Sequence, residues 1–374
     1  MTESKHFLET DGGLRHVAVE RALAEMRAGR PVLIKSGRSS LFVMGVEALD
    51  SARALRIEAL AEGRARLLLP APRLRRLGLD RKTPGAVALP NVDPHRIEAL
   101  ALSLNALIDA PVAALSHLDK AALELARLSL ILPAVVVADV AARAVRDEGL
   151  LRVEASAIMA FRAASASDIR LISRAPAPLE GAPETEFAVF RGGEGLRDQV
   201  AVIVGKPDLA HPVTVRLHSA CLTGDLFGSL KCDCGDQLRF TARHMAENGG
   251  GVLLYLDHEG RGNGLANKIR AYELQARGFD TYDADEALGF GPDQRGFDFA
   301  AAMLKQLGVS RVRVMTNNPT KIAALEAGGL DVVSDQRIIG RTTEQNVSYL
   351  AAKRDRAGHL IEADEEPVAG GGAE

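Results

Sequence analysis

The sequence predicts an α/β (α+β) protein of two domains. Short apolar runs of strand character alternate with segments of helical period along most of the chain, the pattern of layered α/β units. An Ala- and Pro-rich stretch, Arg174 to Pro183, interrupts that alternation near the middle and reads as a linker. A length of 374 residues with 47% hydrophobic content supplies material for two ordinary cores. The expected organisation is a flexible N-terminus over 1–13, a first domain over 14–173, a linker over 174–183, a second domain over 184–362, and an acidic, Gly-rich disordered tail over 363–374.

In the first domain, apolar positions at helical spacing over 14–29 end at Gly29, and PVLIK and SLFVM then read as strands around the turn Ser36-Gly37-Arg38-Ser39. A helix over 51–62, a strand over 65–69, a helix over 121–129, a strand over 134–137 opened by Pro133, and a helix over 154–164 follow. The second domain alternates more clearly, with strands over 199–204 and 213–218, a helix over 236–247 and a strand over 252–257. Helices over 264–277 and 296–307, a strand over 312–316, a helix over 319–327 and a strand over 331–333 complete it. Its polar motifs fall at strand ends, where α/β enzymes place their sites.

A formal charge of −3 gives no bias toward nucleic acid, and with no Trp and four Tyr the chain offers few stacking platforms for a single strand. Its longest apolar stretch, Leu128 to Ala142, is broken by Pro133 and Asp139 and is too short for a bilayer, so no membrane association is expected. The charged start, Met1 to Gly13, does not read as a signal sequence, and a cytoplasmic location is expected.

All three cysteines, Cys221, Cys232 and Cys234, lie within 14 residues of one another. The C-x10-C-x-C spacing suits a metal site, and with no fourth cysteine, three thiolates and one open position match a catalytic zinc more than a structural one. His218 or His244 completing a structural zinc, buried free thiols and a redox pair are the alternatives. The odd count argues for reduced thiols.

HEGRGNGL opens a helix through Gly260, Gly262 and Gly264, which permit close backbone approach to a ligand. Glu259 suits the paired N–H donors of a guanine edge, and Arg261 suits phosphate. Asp293 and Arg295 stand two positions apart in LGFGPDQRGFDF, a base beside a cation. In VMTNNPTKIAALE, Lys321 falls in the first turn of a helix, against its dipole, so an anionic ligand is a physical cause for it. Taken singly, a capped helix, a surface ion pair and a solvated lysine explain these equally plainly.

In order, RLHSACLTGDLFGSLKCDCGDQL, HEGRGNGLANKIRAYELQ, LGFGPDQRGFDF and VMTNNPTKIAALE resemble GTP cyclohydrolase II of riboflavin biosynthesis over nearly the whole second domain. The resemblance implies zinc on Cys221, Cys232 and Cys234, Asp293 as proton acceptor and Arg295 as nucleophile or stabiliser at the α-phosphate. It implies substrate contacts from Arg216, Gln237, Glu259, Arg261, Thr281, Thr316 and Lys321, with Tyr272 nearby. It further implies zinc-assisted opening of the purine ring of GTP, loss of formate and pyrophosphate, magnesium on the triphosphate, and a homodimer. Two positions depart from the pattern: Ala220 replaces a glutamate and Asn263 an aliphatic residue.

VERALAEMRAGRPVLI, LLLPAPRLRRLGLD and SHLDKAALELARLSLILPAVVVADV resemble a diverged 3,4-dihydroxy-2-butanone 4-phosphate synthase domain. That synthase carries an acidic, magnesium-binding loop where this chain has Lys35-Ser36-Gly37-Arg38-Ser39-Ser40, and Leu118 replaces a threonine after His117. A lysine and an arginine repel a hard cation, so no synthase activity is expected. Two other functions fit the second domain: a paralogue acting on another nucleotide or stopping at the formyl intermediate, and a non-catalytic nucleotide-binding zinc protein.

Overall fold

The computed structural model describes residues 11–141, 149–193, 197–291, 293–338, 340, 346 and 354–356. The expected disordered tail and the flexible start over 1–10 lie outside the described residues, whereas Asp11 to Gly13 begin the first helix. The chain divides into two compact units, 1–164 with 266–279 and 283–293, and 165–265 with 280–282 and 294–374.

In the first unit, β1 (Val32–Ser36), β2 (Ser39–Gly45), β3 (Ala65–Leu69), β4 (Gly85–Leu89), β5 (Val112–Ala114), β6 (Val135–Asp139) and β7 (Leu151–Glu154) form one sheet, ordered β5-β4-β3-β6-β2-β1-β7. β1 and β2 pair as the expected hairpin, and β1 takes β7 in parallel. Helices cover both faces. α1 (Asp11–Arg27), α5 (His117–Leu128) and α6 (Ala155–Ser167) bury Leu23, Leu125 and Ile158 against Val32, Ile34 and Val43. On the other face α2 (Ser51–Ala61), α3 (Ala71–Arg76) and α4 (Pro94–Leu102) bury Ile57, Leu74 and Ile97 against Leu33, Phe42 and Met44. Central strands covered on both sides read as unbroken apolar runs, as VLI and LFVM do.

The same core takes in Ala271 and Leu274 of α9 (Leu265–Ala276) and Ala284 and Ala287 of α10 (Thr281–Ala287). Arg73 on α3, 1% exposed, donates to the carbonyls of Leu100 (2.7 Å), Ser103 (2.7 Å), Ala99 (3.1 Å) and Ala287 (2.9 Å). A boundary drawn at one point in the sequence therefore misses that two later segments pack with the first unit. Apolar periodicity predicts α9 but not which core receives it.

The second unit's sheet is ordered β14-β13-β11-β12-β10-β9-β8, from β8 (Arg170–Pro176), β9 (Thr185–Arg191), β10 (Gln199–Val204), β11 (Val213–Ser219), β12 (Gly251–Leu256), β13 (Arg311–Met315) and β14 (Asp331–Gln336). β11, β12, β13 and β14 run parallel, and β10, β9 and β8 continue antiparallel from β12. One face buries Phe299 and Leu304 of α11 (Asp298–Gln306) and Leu325 of α12 (Pro319–Ala327). The other buries Ala242 and Met245 of α8 (Cys234–Glu247). The expected linker corrects in part to strand: Arg174 to Pro176 end β8, paired with β9. β8 is an edge strand with one neighbour, where Pro and charged residues are tolerated and no apolar alternation is needed.

A thiol cluster at parallel strand ends

Because β11, β12 and β13 are parallel neighbours, the segments that follow them leave the sheet at the same edge. Cys221 follows β11, HEGRG follows β12, and Thr316 to Lys321 follow β13. This is where open α/β sheets bind ligands.

Cys221 precedes the one-turn helix α7 (Leu222–Asp225), and Cys232 and Cys234 enter α8. The three Sγ atoms lie within 4.8 Å of one another, with Cys221 and Cys232 at 3.6 Å. Two glycines make the convergence possible. A Cβ on Gly224 would stand 2.6 Å from the Cys232 Sγ, and one on Gly235 would stand 2.3 Å from the Gly224 carbonyl oxygen. Contact with Cys221 pushes the Cys232 thiol up to about 11, and a soft dication is what lets such crowded thiols ionise together. The donor set and the buried cradle thus fit a metal, and among the described residues the three thiols form the one such group.

Neither histidine alternative joins it. His218, 3% exposed, turns its Nε2 to Asp225 at 3.0 Å. His244 lies in the last turn of α8, beside Asn248 and stacked on Phe240. Asp225 is the residue that sequence reasoning missed. Its carboxylate also accepts from the Cys221 N–H (2.9 Å) and the Tyr255 hydroxyl (2.9 Å), so it fixes the backbone of a thiol-bearing residue. Burial and the Asp225 charge push the Tyr255 phenol well above its usual range, so it stays a donor. No spacing rule marks Asp225; its role exists only once β12 lies beside β11.

The expected substrate residues gather in small sets. Arg216, buried on β11, donates to Gln237 (2.5 Å), which donates to Asp233 (2.5 Å); burial pushes the guanidinium down to about 10. Glu259 turns toward the thiol segment, accepting from the Leu222 N–H (2.6 Å) and from the Gly260 N–H (3.1 Å). Arg261 holds φ +60°, a left-handed conformation that disfavours a side-chain-bearing residue, with its guanidinium 4.0 Å over the Tyr282 ring. Thr316, 3% exposed, accepts from the Asn318 N–H (3.0 Å). Lys321 is buried; its ammonium donates to the Leu217 carbonyl at 2.6 Å and sits 5.3 Å over Phe297. Arg295 approaches the same ring at 5.3 Å and donates to the Ser219 hydroxyl (3.0 Å). Phe297 therefore orders two cations, a second role not visible in sequence.

Thr281 begins α10 within the short 280–282 segment that clusters with the second unit. Tyr272 and exposed Asp293 belong to the segments that cluster with the first. Ala220 continues the strand end, its N–H on the Leu256 carbonyl (2.8 Å), and Asn263 is 3% exposed in the turn after Gly262.

A parallel-sheet edge that gathers three thiols, a buried arginine and a buried lysine defines an α/β enzyme class whose cysteine cluster is able to hold a metal. Comparison with known proteins sharpens this. The GTP cyclohydrolase II family model matches residues 170–337. A GTP cyclohydrolase-2 of Xylella fastidiosa (strain Temecula1 / ATCC 700964) is 44% identical over 359 residues, covering 94% of this chain and 89% of its own length. One of Azospirillum brasilense is 46% identical over 249 residues, 65% of each chain. The riboflavin biosynthesis protein RibBA of Bacillus subtilis (strain 168) is 48% identical over 166 residues, 44% of this chain and 42% of that one. Among solved structures, RibBX from A. baumannii, a two-domain 3,4-dihydroxy-2-butanone 4-phosphate synthase, matches with a TM-score of 0.34 and 17% identity over 86% of this chain and 99% of that one. The chain belongs to the GTP cyclohydrolase II family.

Proposed function

We propose that this chain hydrolyses GTP, releasing formate and pyrophosphate and leaving a 2,5-diamino-6-ribosylamino-pyrimidinone 5'-phosphate, the first committed step of riboflavin biosynthesis. The observation that carries the reading is the convergence of Cys221, Cys232 and Cys234 within 4.8 Å at the strand edge that also carries Lys321.

Those three cysteines would hold a zinc ion, which when bound supplies a Lewis acid and an activated water for attack on the purine. The chain's own residues do the rest. Glu259, which accepts the Leu222 and Gly260 N–H groups, is proposed to accept the paired N–H donors of a guanine edge as well. Arg216 and Gln237, bonded to each other, and Thr316, Thr281 and Arg261 are proposed as further substrate contacts. Arg295 and Lys321, ordered over Phe297, oppose charge at the α-phosphate, where Arg295 stabilises or attacks as pyrophosphate leaves. Asp293 is proposed to accept and return protons. Magnesium accompanies the substrate triphosphate. A cytoplasmic homodimer is proposed; no helix of the described residues is long and apolar enough to cross a membrane.

Formate, pyrophosphate and the pyrimidine, followed by mass from purified protein with zinc and magnesium, test this. Products are expected from the intact chain and none from Cys232→Ser. Loaded zinc and bound GTP without product would overturn hydrolysis in favour of a nucleotide-binding zinc protein. Ala220 and Asn263 support a second reading, a paralogue for another nucleotide or one that halts at the formyl intermediate. Product from another nucleotide, or the formyl species in place of formate, would favour it, and a profile restored by Ala220→Glu would assign the change to that position.

A further inference from the structure

The turn after β12 contains a strained arginine that the second unit fixes through both its carbonyl and its guanidinium. Gly260, Arg261 and Gly262 take φ +59°, +60° and +81° in succession, so the middle residue carries a side chain where the backbone favours glycine. Such a conformation persists where surrounding contacts over-determine it. The Arg261 carbonyl accepts from the N–H of Gln294 (3.2 Å), the residue before Arg295, and the Arg261 guanidinium lies 4.0 Å over the Tyr282 ring. Tyr282, 7% exposed in the first turn of α10, is itself held. One Asp280 oxygen accepts from the Tyr282 N–H (2.7 Å) and the other from Arg356 (2.6 Å), whose guanidinium stands 5.4 Å from the centre of the same ring. Arg356 lies beyond β14, and like Arg261, Asp280, Tyr282 and Gln294 it belongs to the second unit.

We propose that Tyr282, fixed by Asp280 and Arg356, is a positioning residue that aims Arg261 at a substrate phosphate. This rests on the reading of Arg261 as a substrate contact. A long arginine side chain samples many rotamers, and ordering it at the moment of binding costs affinity. A ring face attracts a guanidinium through its quadrupole and adds no opposing charge, unlike a carboxylate in the same place. Tyr282 therefore orders Arg261 before the substrate arrives, and through Arg356 a segment beyond the last strand takes part in substrate binding.

Steady-state kinetics with GTP, and the Kd for inorganic tripolyphosphate, which needs no turnover, test this on the full-length protein. Tyr282→Leu should raise the GTP KM and the tripolyphosphate Kd about three- to thirtyfold, with kcat changed less than about threefold and zinc content unaltered. Tyr282→Phe, which keeps the ring, should return parent values. Arg356→Gln, at an exposed position where folding is not at risk, should weaken both about two- to fivefold. In an Arg261→Ala background Tyr282→Leu should add nothing, whereas a merely structural role would add its full effect there. An effect of Tyr282→Leu undiminished without Arg261, equal losses in Tyr282→Phe and Tyr282→Leu, or parent values in both Tyr282→Leu and Arg356→Gln would each overturn the proposal. Parent values in Arg261→Ala would overturn the substrate-contact reading beneath it as well. If the parent protein binds tripolyphosphate without turning over GTP, hydrolysis fails, and the same pattern in Kd alone upholds or overturns the positioning role.

Discussion

The Asp225 carboxylate holds His218 through both of its oxygens, 3.0 and 3.1 Å from Nε2, in a pair whose side chains are 6% and 3% exposed. A buried carboxylate needs several donors, and the Cys221 N–H and Tyr255 hydroxyl complete the set. The pair thus ties the end of β11 and the face of β12 to the residue that begins the thiol cluster.

Asp225→Asn keeps the shape of this side chain but removes its charge and one acceptor. Zinc affinity, read by competition with a chromophoric chelator, is expected to fall about 10- to 100-fold with the fold retained by circular dichroism. Unchanged affinity would show that the Cys221 loop holds itself.

Gly224→Ala puts a methyl group 2.6 Å from the Cys232 Sγ. The variant should bind less than one zinc per chain under conditions that load the parent protein, with a smaller loss in urea stability than in metal content. Full zinc occupancy would mean that α7 shifts freely, against the close packing of Gly224 on Gly235.

His218 supplies a pH dependence. Burial lowers its pKa from 6.5, with Asp225 acting against the shift and the Arg216 and Lys321 charges adding to it. With the folded value below the unfolded one, the unfolded chain binds the proton more readily as pH falls. Stability from the neutral ring is therefore complete above about 6.5 and is lost as pH falls from there toward the folded value. Urea unfolding of metal-free protein should show lower stability at pH 5.5 than at 7.5, with the difference reduced in His218→Gln. Equal dependence in both proteins would exclude His218 as its source.

Arg73→Ala should destabilise the first unit by roughly 3–5 kcal/mol, because it empties a buried side chain and strips donors from four carbonyls. Denaturant midpoints by circular dichroism measure it. A loss below about 1 kcal/mol would show that water replaces the guanidinium.

The elements with strong periodic signals were legible. VLIK with SLFVM, ARLLL and QVAVIV form strands where apolar runs predict them, and PTKIAALEA is the helix that its Asn-Pro start announces. β5 has three residues, too few to repeat a pattern, and β8, an edge strand largely exposed along its length, carries no apolar alternation to be read. Arg73 looks like one of several surface arginines in APRLRR; only its burial reveals a structural role.

The sequence by itself determined the α/β class, the strand–helix alternation of the second half and the three thiols as a candidate metal-ligand set, because periodicity and spacing are local properties. Tertiary structure alone decided which core takes up α9 and α10, that Asp225 positions Cys221, and that Phe297 orders Arg295 and Lys321. Those depend on strands and helices far apart in sequence becoming neighbours, and burial then changes the chemistry of ordinary side chains.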